Sequence, residues 1–138
     1  CGMIALIELF QIIVAIPFAF LRAKMNASVG PNGAGMEANV ALFGFAFLMY
    51  AAFNALLLPV FYRDAHSAGK GLVFGGIAIA VVIGLTETLA FTVPWLDSIA
   101  PDALVRQLPI LIGGILVYAA GMVLTYRVSA ARFEKVDL

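Results

Sequence analysis

LVFGGIAIAVVIGLTETLAFTVPWL, residues 72–96, runs for 25 positions with Glu87 as its only charged side chain. A helix rises 1.5 Å per residue, so about 20 residues cross a hydrocarbon core of about 30 Å. This stretch is therefore long enough to span a bilayer. Three further runs match it: residues 3–21, broken only by Glu8 and Gln11; residues 40–62, interrupted by Asn54; and residues 108–126. None alternates apolar and polar positions as a membrane barrel strand does. In lipid a helix satisfies its own backbone, whereas an open strand cannot. The expected fold is all-α, a polytopic bundle of four transmembrane helices forming a single domain over residues 1–138.

Composition agrees with that reading. Apolar residues make up 64% of the chain and charged residues 12%, with a mean hydropathy of +1.07. Soluble domains are roughly 45–50% apolar and about 25% charged. A soluble fold of this length could not bury so much apolar surface. Eight basic residues balance eight acidic ones, which removes the electrostatic case for binding nucleic acid. Cys1 is the single cysteine, so it has neither a disulfide partner nor a second thiol for a metal site. The chain opens on Cys-Gly-Met3 without a basic leader, and it is expected to begin part-way through a longer polypeptide.

The connections set the topology. Residues 22–39 are rich in Gly, Asn and Ser, with a turn signal at Gly30-Pro31-Asn32-Gly33. Residues 63–71 form a short charged loop, and residues 94–107 carry Trp95, an expected interfacial anchor. A short surface helix is expected to start at Asp97-Ser98 or Pro101-Asp102, and the tail, residues 127–138, to continue the last helix out of the membrane. Arg63, Lys70, Arg127, Arg132 and Lys135 lie on one side of the spans; Arg22, Lys24 and Arg106 lie on the other. The basic excess predicts that both ends of the chain and the 63–71 loop are cytoplasmic.

Few residues offer chemistry. Gly69-Lys70 is followed by Gly71, not by the Ser or Thr of a phosphate-binding loop. His66 is the only histidine and lacks the partners of a triad or a metal site. The chain is expected not to be an enzyme and to hold no metal or cofactor. Glu8 and Glu87 are the exceptions, being carboxylates inside apolar runs. A charge at the bilayer centre costs at least about 2.5–3.5 kcal/mol, so such groups face protein or water or stay protonated. For Glu8 the plainer reading is a headgroup-level residue near the end of its span. For Glu87 it is a hydrogen bond between helices, to Asn54 or Gln11. Pro59 and Pro109 are read as finishing and starting spans. Small residues recur as Gly71-x-x-x-Gly75 and Gly76-x-x-x-Ala80-x-x-x-Gly84, a spacing that lets helices approach closely. Packing within the bundle is the simpler use of that face, and dimerisation the other.

Two segments carry a resemblance. The second span ends Asn54-Ala-Leu-Leu-Leu-Pro59-Val-Phe61-Tyr62-Arg63, with Gly69-Lys70-Gly71 opening the next. The chain closes Tyr126-Arg-Val-Ser129-Ala-Ala-Arg132-Phe133-Glu134-Lys135-Val-Asp137-Leu. Together they resemble the permease subunit of bacterial ABC transporters of the ABC-2 type. The four spans correspond to the last four of the family's usual six. The resemblance implies a bacterial plasma-membrane exporter of a hydrophobic or amphipathic solute. Two permease copies would form the path, and separate ATPase subunits would bind ATP. Arg63, His66 and Lys70 would then face the ATPase. The loop departs from the family, with Asp64-Ala-His66-Ser-Ala-Gly69-Lys70 where a Phe-Gly-x-Glu-Lys run is common. Two other classes compete: a complete four-span proton-coupled exporter using Glu8, like the small multidrug-resistance proteins, and a membrane scaffold subunit that transports nothing.

Overall fold

The computed structural model describes residues 1–29, 38–63 and 68–134. Four helices account for most of them: α1 (Gly2–Val29), α2 (Val40–Phe61), α3 (Ala68–Thr92) and α4 (Pro101–Phe133). A short 3-10 turn, Pro94–Asp97, joins α3 to α4. No strand occurs among the described residues. All four helices are long and apolar enough to cross a membrane, and apolar side chains cover the outer surface, with Phe91 91% exposed. Such a surface is tolerable only in lipid, so the chain is a multi-pass membrane protein.

α2 is the central helix. Its buried positions are Ala41, Gly44, Phe47, Ala51, Asn54, Leu58 and Pro59, and the first six, spaced by threes and fours, keep one seam facing α4. α4 answers with Ala103, Gln107, Gly114, Tyr118, Thr125 and Ser129. Lipid tails are as apolar as leucine, so burial of apolar area does not drive these helices together; close packing does. The seam is tightest at two glycines. A methyl group on Gly114 would strike the backbone oxygen of Gly44, and one on Gly44 would lie 2.7 Å from the Ile110 carbonyl oxygen. α3 packs on another side of α2 through Gly71 and Gly75, where an added Cβ would come within 3.1 Å of Leu57 and 2.6 Å of Phe53.

One end of the bundle is tied by two amides. Asn39 caps α2, accepting from the Leu42 amide at 3.0 Å, and donates to the Leu96 carbonyl at 2.8 Å. Gln107 is fully buried. It accepts from the Ala41 amide at 3.2 Å and donates to the carbonyls of Trp95 at 2.8 Å and Ser98 at 2.9 Å. A helix leaves its first amides and last carbonyls unpaired. These two side chains supply partners at the start of α2 and along the turn between α3 and α4.

Several boundaries differ from expectation. The span predicted over residues 72–96 leaves the α-helix at Thr92, because Pro94 brings in the 3-10 turn. No separate surface helix precedes the last span. Pro101 occupies the first turn of α4, where its missing amide costs nothing, and the helix runs on for 33 residues. Pro109 consequently lies inside α4 rather than at its start, a position that membrane helices tolerate. Pro59 does lie in the last turn of α2. The turn signal at 30–33, His66 and Lys135 lie outside the described residues.

Candidate functional site

Glu8 is the one buried residue among the described side chains of α1. It projects from the face formed by Ala5, Glu8 and Ile12, whose spacing of three and four places them on one side of the helix. Ala5 and Ile12 pack against the cluster formed by Phe47, Ala51 and Tyr118. Between them Glu8 meets α2 and α4 at once. Asn54 Nδ2 donates to both carboxyl oxygens at 2.9 Å, and the Tyr118 hydroxyl donates to Oε2 at 2.7 Å. Met122 Sδ lies 3.3 Å from the same amide nitrogen. One turn along α1, Gln11 accepts from the Tyr50 hydroxyl at 2.9 Å. The Phe47 ring closes the site against Tyr118, with centroids 5.5 Å apart.

Among the described residues no lysine or arginine pairs with Glu8; two neutral donors hold it instead. The arrangement has one loose end. Asn54 is fully buried, and its Oδ1 has no partner. An acceptor buried without a donor costs roughly 1–3 kcal/mol. The two ends of the amide have the same shape, so a half-turn of the group would bring Oδ1 to Glu8. A protonated Glu8 could then donate to Oδ1 while still accepting from Tyr118. The site thus has the groups to bind Glu8 in either protonation state.

The other residues singled out from sequence fall elsewhere. Glu8 is buried where α1 meets α2 and α4. Asn54 and Gln11, expected as partners for Glu87, make their contacts at Glu8 and Tyr50. Glu87 is exposed on α3 and borders a depression shared with Met49, Ile83 and Thr86. The hydroxyls of Thr86 and Thr88 turn back to carbonyls of their own helix, at Val82 and Gly84. Gly71 and Gly75 pack within the bundle, whereas nothing lies within 4 Å of a Cβ placed on Gly76 or Gly84, and Ala80 is exposed. The small-residue face therefore divides, its first half internal and its second half turned outward. Tyr118 was missed, since a tyrosine in an apolar run reads as packing. The Gly44–Gly114 contact was missed as well, although two glycines in facing spans could have signalled it.

At the opposite end from the Trp95 turn, the two resemblance-bearing segments meet. Arg132 Nη1 donates to the Pro59 carbonyl at 3.1 Å, capping an acceptor left over at the end of α2. Tyr62 stands edge-on to Phe133 with centroids 6.3 Å apart. Tyr62, Tyr126, Ser129 and Phe133 line a cavity of about 280 Å³, and the Ser129 hydroxyl is buried there without a partner. Arg63 and Lys70 are exposed. No group of three or more metal-ligating side chains forms among the described residues. Comparison of the chain with protein-family models, with curated proteins and with solved structures returned no match.

Proposed function

We propose that this chain is a permease subunit of an ATP-driven exporter of the ABC-2 type in a bacterial plasma membrane. One observation supports the reading above the others. The segments that resemble the family, 73 positions apart at Pro59 and Arg132, pack into one unit at the basic end of the bundle. A subunit driven from outside needs such a coupled end, where motion imposed on one helix is passed to another. In this reading that end is cytoplasmic, and Arg63, His66 and Lys70 contact a separate ATPase. The chain performs no chemistry, and ATP is bound by the partner alone. Two permease copies form the path for a hydrophobic or amphipathic solute. ATP-driven closure of the ATPases rocks the bundles between inward-open and outward-open states.

Co-purification with an ABC-type ATPase subunit tests this directly. Charge reversal of Arg63 and Lys70 together should reduce association at least fivefold, and added salt should weaken the wild-type association. Unchanged association counts against the assignment.

A second reading, proton-coupled export, is favoured by the burial of Glu8 between Asn54 and Tyr118. Buried carboxylates in membrane spans mark proton relays. Reconstituted vesicles separate the two. Proton coupling requires that Glu8→Gln abolish solute flux driven by a pH gradient, with ATPase partners irrelevant. The ATP-driven reading requires flux that depends on ATP and survives the same substitution.

A further inference from the structure

The outer face of the α2–α4 seam carries an apolar furrow that ends on a single guanidinium. Near the basic end its walls are Leu56 and Val60 of α2 and Leu124 and Val128 of α4, an open space of about 380 Å³ that Arg132 also lines. The furrow continues past Ala55 into a wider apolar stretch of about 540 Å³ that includes Ala51 and Gly121 and is bounded by α3. Residues 121, 124, 128 and 132 follow one line along α4. From Gly121 to Arg132 that line measures about 16 Å at 1.5 Å per residue. This is close to one leaflet, half of a hydrocarbon core of about 30 Å.

Charge selects the occupant. Arg132 uses Nη1 on the Pro59 carbonyl, which leaves most of its five donors available. Among the described residues no carboxylate pairs with it. Arg63, Lys70 and Arg127 stand exposed at the same end. An arginine lining a leaflet-deep apolar channel matches a molecule with a phosphate head and a long hydrocarbon tail. A partner helix would instead have to bring a carboxylate to Arg132 and fit between the side chains of Leu56, Val60, Leu124 and Val128. We propose that this furrow is a binding site for an anionic phospholipid, its phosphate on Arg132 and one acyl chain along Ala55 and Gly121. The site is independent of the exporter assignment and would stand if that assignment failed.

Native mass spectrometry of the detergent-purified chain tests it, using an equimolar mixture of phosphatidylglycerol and phosphatidylcholine with identical chains. The wild type should retain phosphatidylglycerol at least fivefold over phosphatidylcholine. Arg132→Gln should bring the ratio close to one, whereas Arg132→Lys should keep a preference for the anionic lipid. Ala55→Phe, which fills the furrow from an exposed position, should reduce retention of both lipids. Should Arg132→Gln fail to fold, the lysine and Ala55 variants carry the decision. Equal retention of the two lipids by the wild type overturns the proposal. So does an anionic preference that survives Arg132→Gln, or lipid retention unchanged by Ala55→Phe. Displacement of phosphatidylglycerol by millimolar inorganic phosphate would assign the site to a free anion and also overturn it.

Discussion

Asn54 holds the first and second helices together with one nitrogen, which donates to both oxygens of Glu8, and Tyr118 brings in the fourth helix through its hydroxyl. Hydrogen bonds between membrane helices average about 0.6 kcal/mol and reach about 1.7. Tyr118→Phe removes only the hydroxyl and should destabilise the bundle by an amount in that range, read from thermal or denaturant unfolding in detergent. A neutral Tyr118→Phe would show that the bond is not made. Asn54→Leu removes the donor as well as its orphaned Oδ1, so its cost combines a lost bond with a relieved penalty. A double-mutant cycle of Tyr118→Phe with Glu8→Gln isolates the pair, and a coupling of zero would dissolve the cluster. None of these contacts could be read from residue types alone. Glu8 and Asn54 stood out because polar groups are rare in such runs, but their pairing depends on how the helices rotate.

Helices differ in how firmly they are held. α2 and α4 meet backbone to backbone at Gly44 and Gly114, so Gly114→Val must push the helices apart. Overpacking of this kind typically costs about 1–3 kcal/mol. Its neighbour is the control: Gly113 has nothing within 4 Å of an added Cβ, and Gly113→Ala should be neutral or stabilise by up to about 1 kcal/mol through helix propensity. Equal losses for the two would refute the assigned seam. α1 rests on the cluster of Phe47, Ala51 and Tyr118 through Ala5, Glu8 and Ile12. Glu8→Ala should therefore raise hydrogen exchange in α1 by at least tenfold while α2 and α4 stay protected. Exchange rising equally in all three would mean that Glu8 supports the whole bundle. The existence of each helix was legible in its apolar length. The continuity of α4 from Pro101 to Phe133 was not, since Pro109 reads as a boundary and lipid-embedded helices absorb prolines that soluble ones rarely do.

Across the whole molecule, amide side chains tie one end and an arginine and aromatic rings join helices at the other. Gln107 occupies a site where four backbone partners converge. Gln107→Leu keeps the volume but strands the Ala41 amide, and should cost about 1–3 kcal/mol, with faster exchange confined to the start of α2. Global acceleration would instead make Gln107 a determinant of the entire fold. The amino-acid sequence by itself determined the number of spans, their order, the all-α class and the membrane as solvent. Those properties depend on apolar length and on the backbone's need for hydrogen bonds in lipid, both local along the chain. The tertiary structure decided which side chains meet: Glu8 with Asn54 and Tyr118, Arg132 with Pro59, Gly44 with Gly114. In a chain this apolar, lipid and protein make similar neighbours for a leucine. Hydrophobic pattern therefore leaves helix rotation undetermined, and a few glycines and polar groups settle it through close contact.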